Sequence, residues 1–149
     1  MKHHIVTVCV VSFLSALIGC ATAVDKPEIR KLVGSTQTLR REALIYPLNG
    51  DVARHFEPGT VGFYNIEEGS NSWRKEGRLS PGTTVKILEV NRYLIDARGH
   101  WVGVVGLVQD PETHREVKFL YCWSSGDFLE RAPWEDESIP ERRDIRALP

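Results

Sequence analysis

Three observations predict an all-β domain. Residues 37–130 carry short apolar or alternating runs, most of these runs are introduced or ended by a Gly, Pro, Asn or Asp turn signal, and none keeps a helical period. The first run, Leu39 to Tyr46, ends in Ala43-Leu44-Ile45-Tyr46 and is stopped by Pro47, which cannot donate to a ladder. Asn49-Gly50-Asp51 then turns the chain, and Glu57-Pro58-Gly59-Thr60 turns it again into Val61-Gly62-Phe63-Tyr64. Ser80-Pro81-Gly82-Thr83 leads into Thr84–Val90, where Val85 and Ile87 alternate with Lys86 as on a half-buried strand. Gly82 follows Pro81 at a turn position that favours positive φ. Arg98-Gly99-His100 precedes the β-branched run Trp101–Val108, whose Gly103 and Gly106 permit a bulge or tight curvature. Asp110-Pro111-Glu112-Thr113 is the next turn, and Glu116–Trp123 is the last long strand. Five or six short strands with turns between them predict a small barrel or sandwich.

The two ends read differently. Residues 1–19 have Lys2 as a short positive region and no charge from Ile5 to Ile18, which is too short for a comfortable membrane span and suits a secretory signal. Residues 20–36 read as a tether with one short strand around Ile29–Val33. Residues 131–149 hold three prolines and nine charged residues, sustain no period, and read as a flexible tail, with a partner-binding peptide around Trp134 as the minority view. About 130 residues remain after a signal is removed, enough for one domain.

Lys and Arg number 19 against 20 Asp and Glu, a balance that argues against a general nucleic-acid binder. Three cysteines, one of them Cys9 within the signal, do not make a disulfide scaffold.

Leu17-Ile18-Gly19-Cys20 resembles the lipobox of bacterial lipoproteins. The resemblance implies cleavage before Cys20, with lipid on its sulfur and amine; two or more acyl chains would anchor the chain stably. Ala21 rather than Asp at the next position implies the outer membrane, facing the periplasm. The competing reading is cleavage after Ala21-Thr22-Ala23 by an ordinary signal peptidase. If Cys20 is not acylated, a Cys20–Cys122 disulfide is conceivable.

A second resemblance, covering roughly residues 43–130, is to the bacterial exported form of the Src-homology-3-like barrel. It rests on Ala43–Pro47 as first strand, on Gly77–Leu88 as a turn-and-strand entry, and on Trp123-Ser124-Ser125-Gly126-Asp127-Phe128-Leu129-Glu130 as the closing serine-rich 3₁₀ turn. The resemblance implies that Tyr46 faces a binding groove and that Phe128 and Leu129 fold back to plug the barrel. Some thirty residues, Leu48–Glu76, exceed the usual loop and imply an inserted hairpin around Val61–Ile66.

Chemistry is sparse. His55, His100 and His114 lack a spacing that puts two on one face, so no metal site and no cofactor are expected. Cys122, in the apolar run Leu120–Trp123, reads as a core residue rather than a nucleophile. No Gly-x-Ser-x-Gly, His-Glu-x-x-His or phosphate loop occurs, and no enzyme activity is expected. Trp73 and Arg74, in the polar loop Gly69–Lys75, are the candidate binding residues together with Tyr46, because interfaces favour aromatic and Arg side chains. The expectation is a lipid-anchored binding module for a protein of an envelope assembly or for peptidoglycan. A small envelope hydrolase or its inhibitor, and a structural lipoprotein without a ligand, are the alternatives.

Overall fold

The computed structural model describes residues 21–48, 50–65, 77–94 and 99–149. The chain is mostly β. In order, it forms β1 (Thr22–Ala23), α1 (Pro27–Arg30), β2 (Thr36–Thr38), β3 (Ala43–Pro47), α2 (Gly50–Ala53), β4 (Val61–Asn65), β5 (Gly77–Leu79), β6 (Thr84–Leu94), β7 (His100–Gln109), β8 (Glu116–Cys122), β9 (Ser124–Ser125), β10 (Phe128–Glu130) and β11 (Arg142–Asp144), then a 3₁₀ turn at Ile145–Ala147. The main sheet runs β1-β6-β7-β8-β4-β3-β5, with β2 also on β6, and a small sheet runs β11-β10-β9. The all-β expectation holds. Closure into a barrel is not found among the described residues, where the path ends at β1 and β5.

Val61–Asn65 is not an inserted excursion. As β4 it lies inside the sheet, antiparallel to β3 and parallel to β8, with Phe63 level with Ile45 on one side and Tyr121 on the other. Phe63 is buried and meets the Phe119 ring at 4.8 Å between centroids. An apolar run flanked by turns reads the same at an edge and at a centre, and only the long-range partner distinguishes them. Ile66 lies outside the described residues.

The strand expected at Thr84–Val90 continues to Leu94, and its ladder with β7 slips at Leu88, between Ile87 and Glu89. The irregularity expected at Gly103 and Gly106 is therefore carried by the facing strand. Gly106 instead permits close packing. A Cβ there would stand 2.5 Å from the Lys86 carbonyl oxygen and from the Phe119 ring, so only glycine lets the three strands approach. Gly82 has φ +92°, as its turn requires.

Both ends are folded, contrary to their composition. At the N-terminal end, the Val24 amide donates to the Val90 carbonyl and Ile29 is buried. The strand expected at Ile29–Val33 is replaced by α1, because Pro27 stands at the start of a helical turn, where its fixed φ suits and its missing N–H is not needed, with Glu28 in the first turn. At the C-terminal end, Trp134 is 4% exposed, with its ring 5.3 Å from Tyr121, 6.3 Å from Phe63 and 6.4 Å from Trp123. Arg41 Nη2 donates to the Arg131 and Ala132 carbonyls, at 2.7 and 2.9 Å, and β11 pairs with β10. Residues 131–149 owe their order to these long-range contacts rather than to a local period, which is why a periodicity argument reads them as a flexible tail.

The closing turn also differs from expectation. Ser124–Ser125 is a strand paired with Phe128–Leu129, not a 3₁₀ turn, and Gly126 turns the hairpin at φ +69°. Leu129 is fully buried, whereas Phe128 is 37% exposed and lies under the Arg142 guanidinium at 4.2 Å. Strand alternation allows only one of two neighbours to point inward. Leu129 is the plug.

Candidate binding surface

Strand alternation gives the main sheet two faces. Val102, Val104 and Val108 of β7 join the core, so Trp101, Gly103 and Val105 face the other way. The register carries this outer face across the sheet: Val105 is level with Leu120 of β8, Leu120 with Gly62 of β4, and Gly62 with Tyr46 of β3. Val105 and Leu120 are each only 5% exposed yet lie outside the core cluster, so the outer face has an apolar layer of its own.

Four half-buried aromatic rings belong to this layer. Tyr93 and Trp101, opposite each other on β6 and β7, stack at 4.6 Å and 20°. Phe56, from the segment after α2, meets Tyr93 at 5.8 Å, and Glu57 next to it pairs with Lys118 Nζ at 2.8 Å. Two glycines are the floor. A Cβ on Gly103 would stand 2.5 Å from the Trp101 ring, and one on Gly62 would stand 2.0 Å from the Tyr46 ring. Each ring therefore lies flat on bare backbone, which fixes its orientation before any ligand arrives. The Trp101 indole N–H is shielded from solvent and has no acceptor among the described residues. Burial raises the Tyr93 hydroxyl above its ordinary pKa, and the nearby Glu89 carboxylate adds to this against an opposing hydrogen bond from Asn91.

Of the residues singled out in the sequence, Tyr46 is on this surface. Trp73, Arg74 and Cys20 lie outside the described residues. Sequence reasoning misses Phe56, Tyr93 and Trp101 as binding residues; the available signal is Gly103, since a glycine two positions from a Trp inside a strand marks close approach. Cys122 is not a core residue. It follows the buried Tyr121 and precedes the buried Trp123, so alternation turns it outward, where its Sγ lies 3.4 Å from the Ser124 carbonyl oxygen. Although the residue reaches solvent, desolvation of the sulfur, with the Glu130 charge behind it, pushes the thiol up to about 11. At that value the thiol is protonated at neutral pH.

The histidines do not gather. His100 opens β7 and His114 lies in the turn beyond its other end, His55 is in an exposed loop, and among the described residues no three His, Cys, Asp or Glu side chains are placed to hold a metal. His100 instead lies 3.0 Å from Asp127 Oδ1, at the closing hairpin, and Arg146 spans Asp127 at 3.7 Å and Asp144 at 2.7 Å. Hydrogen bonding to His100 first, then the Arg146 charge, holds the Asp127 carboxyl below its usual range, and side-chain and backbone hydrogen bonds from Arg146 bring Asp144 to about 2. A carboxyl depressed in the folded state stabilises above its unfolded pKa, near 3.9, and loses that contribution as the pH falls through the folded value. The stability difference between the native protein and an Asp144→Asn variant should therefore be constant above about pH 5 and vanish only by about pH 1. Melting curves across that range check it; because the pair is exposed, the difference should be small.

Comparison of the chain with family models, with characterised proteins and with solved structures finds no match. Among the described residues no helix is long and apolar enough to cross a membrane.

Proposed function

We propose that this chain is a lipid-anchored binding module of the bacterial envelope, held through Cys20 at the outer membrane facing the periplasm, and that it takes its ligand on the outer-face aromatics. The observation that carries the reading is the set of Tyr46, Phe56, Tyr93 and Trp101 on one sheet face, two of them seated on glycines. Rigid, partly exposed aromatic rings give large contact area at little entropic cost, and binding energy concentrates in such residues. The sequence resemblance to Src-homology-3-like barrels points the same way, since it implies that Tyr46 lines a groove. An extended peptide of an envelope protein is the ligand class this surface suits, with peptidoglycan as the other candidate. Trp73 and Arg74 belong to the same proposal as loop contacts.

Crosslinking in intact envelopes followed by capture of the full chain identifies the partner. Trp101→Ala should weaken that capture by about 2 kcal/mol or more, the hot-spot threshold, with much less effect on melting. Equal capture by native protein and the Trp101→Ala and Tyr46→Ala variants would remove the aromatic face from the function.

A further inference from the structure

The first described residues are already part of the sheet. Thr22 and Ala23 pair with Arg92 and Asn91 of β6, and Val24 is buried behind them. Thr22 is two residues from Cys20, and two residues span at most about 7 Å. Continuing the antiparallel register by one step sets Ala21 level with Tyr93, so the chain heads back toward the end of β6. Leu94 stands there, 63% exposed, the most exposed large hydrophobic side chain among the described residues.

Beside this edge is a cleft of about 290 Å³ whose lining includes Val24, Asp25, Lys26, Arg92, Ile145 and Arg146. Its lining carries three cations, Lys26, Arg92 and Arg146, against one carboxylate, Asp25. Asp25 is paired with Arg30 and Asp144 with Arg146, while Asp127 is shared by His100 and Arg146. Lys26 Nζ donates to the Leu148 carbonyl at 2.8 Å and to the Arg146 carbonyl at 3.4 Å, which holds its charge in the cleft and leaves one of its three hydrogens. Arg92 has no ion pair among the described residues.

We infer that the edge formed by Thr22–Lys26, Arg92, Leu94 and Arg146 is a membrane-apposed face, on which Leu94 enters the interfacial region and the cleft takes the phosphate of an anionic phospholipid. The inference rests on the anchor at Cys20. An acyl chain attached so close to a folded edge holds that edge near the bilayer without seating it, and an exposed apolar side chain two residues from Arg92 and beside a cationic cleft is the composition that seats on an anionic bilayer surface. The domain then has a fixed attitude, with the Glu116 end of β8, at the far end of the sheet, turned from the bilayer.

The test uses the full, natively processed chain carrying Cys122→Ser, with a polarity-sensitive fluorophore on Leu94→Cys or, as control, on Glu116→Cys, in vesicles of phosphatidylethanolamine with or without phosphatidylglycerol. Lipid-borne quencher should act on position 94 at least about threefold more strongly than on position 116, and only when phosphatidylglycerol is present. Arg92→Glu with Arg146→Glu should lose that preference while the far-UV spectrum is unchanged. Mass analysis of the mature N-terminus separates the two ways of failing. An unacylated N-terminus overturns the anchor and this face together. An acylated chain with equal quenching at both positions, or quenching indifferent to phosphatidylglycerol, overturns the face and leaves the anchor standing.

Discussion

Replacing Trp134 by alanine should lower stability by about 3–5 kcal/mol, the range for emptying a large aromatic site in a core. The indole packs against Phe63, Tyr121 and Trp123, so its removal strips one wall from three other rings at once. Deletion of everything after Glu130 should be worse, because it also removes the buried Ala132 and Ile145, and such a chain should show no cooperative melting. Urea denaturation measures the first and thermal melting the second. A Trp134→Ala protein with the native midpoint would return residues 131–149 to the status of a solvated extension.

The second large effect is expected at Arg143. Its side chain is 10% exposed and pairs with Glu135, itself 13% exposed, and with Glu28 at 3.2 Å, while its guanidinium lies 5.8 Å from the Trp123 ring. Arg143→Leu leaves the Glu135 carboxylate buried with the Ala132 amide as its remaining described donor. Breaking one side of a buried pair costs about 3–5 kcal/mol, and the lower end applies because Glu28 reaches water and can rehydrate. Adding Glu135→Leu to Arg143→Leu should recover much of the loss, since the pair replaced by apolar side chains leaves no stranded charge. A loss in the single variant no larger than an exposed ion pair's ~1 kcal/mol would show that the pair is not the fastening it resembles.

What can be read from the sequence is local. Period-two alternation at Val85-Lys86-Ile87 and the Pro81-Gly82 turn are decided by neighbouring residues, and both appear as expected. The placement of Val61–Asn65 at the centre of the sheet is not legible, because it depends on a parallel partner nearly sixty positions away. Phe128 and Leu129 show the same limit at small scale. The closing motif is visible, but which of two adjacent apolar residues points inward depends on strand phase, and a 3₁₀ turn sets that phase wrongly. The end segments escape for another reason. Composition reports how much apolar surface a segment has, whereas order in residues 131–149 comes from where Trp134 and Ile145 land. The binding surface is half legible, since Tyr46 stands out in the sequence, while the Tyr93–Trp101 pair becomes visible only when Gly103 is seen beneath it.

The pairing of Arg143 with Glu28, 115 positions apart, has a consequence for how the chain reaches its fold. Contacts of such high sequence separation close large loops and form late, so the domain has high contact order. A polypeptide that has emerged only as far as Cys122 holds every strand of the main sheet, yet Phe63 and Tyr121 still face water because Trp134 has not arrived. It has no stable half-way product. Cooperative folding therefore waits for the final twenty residues.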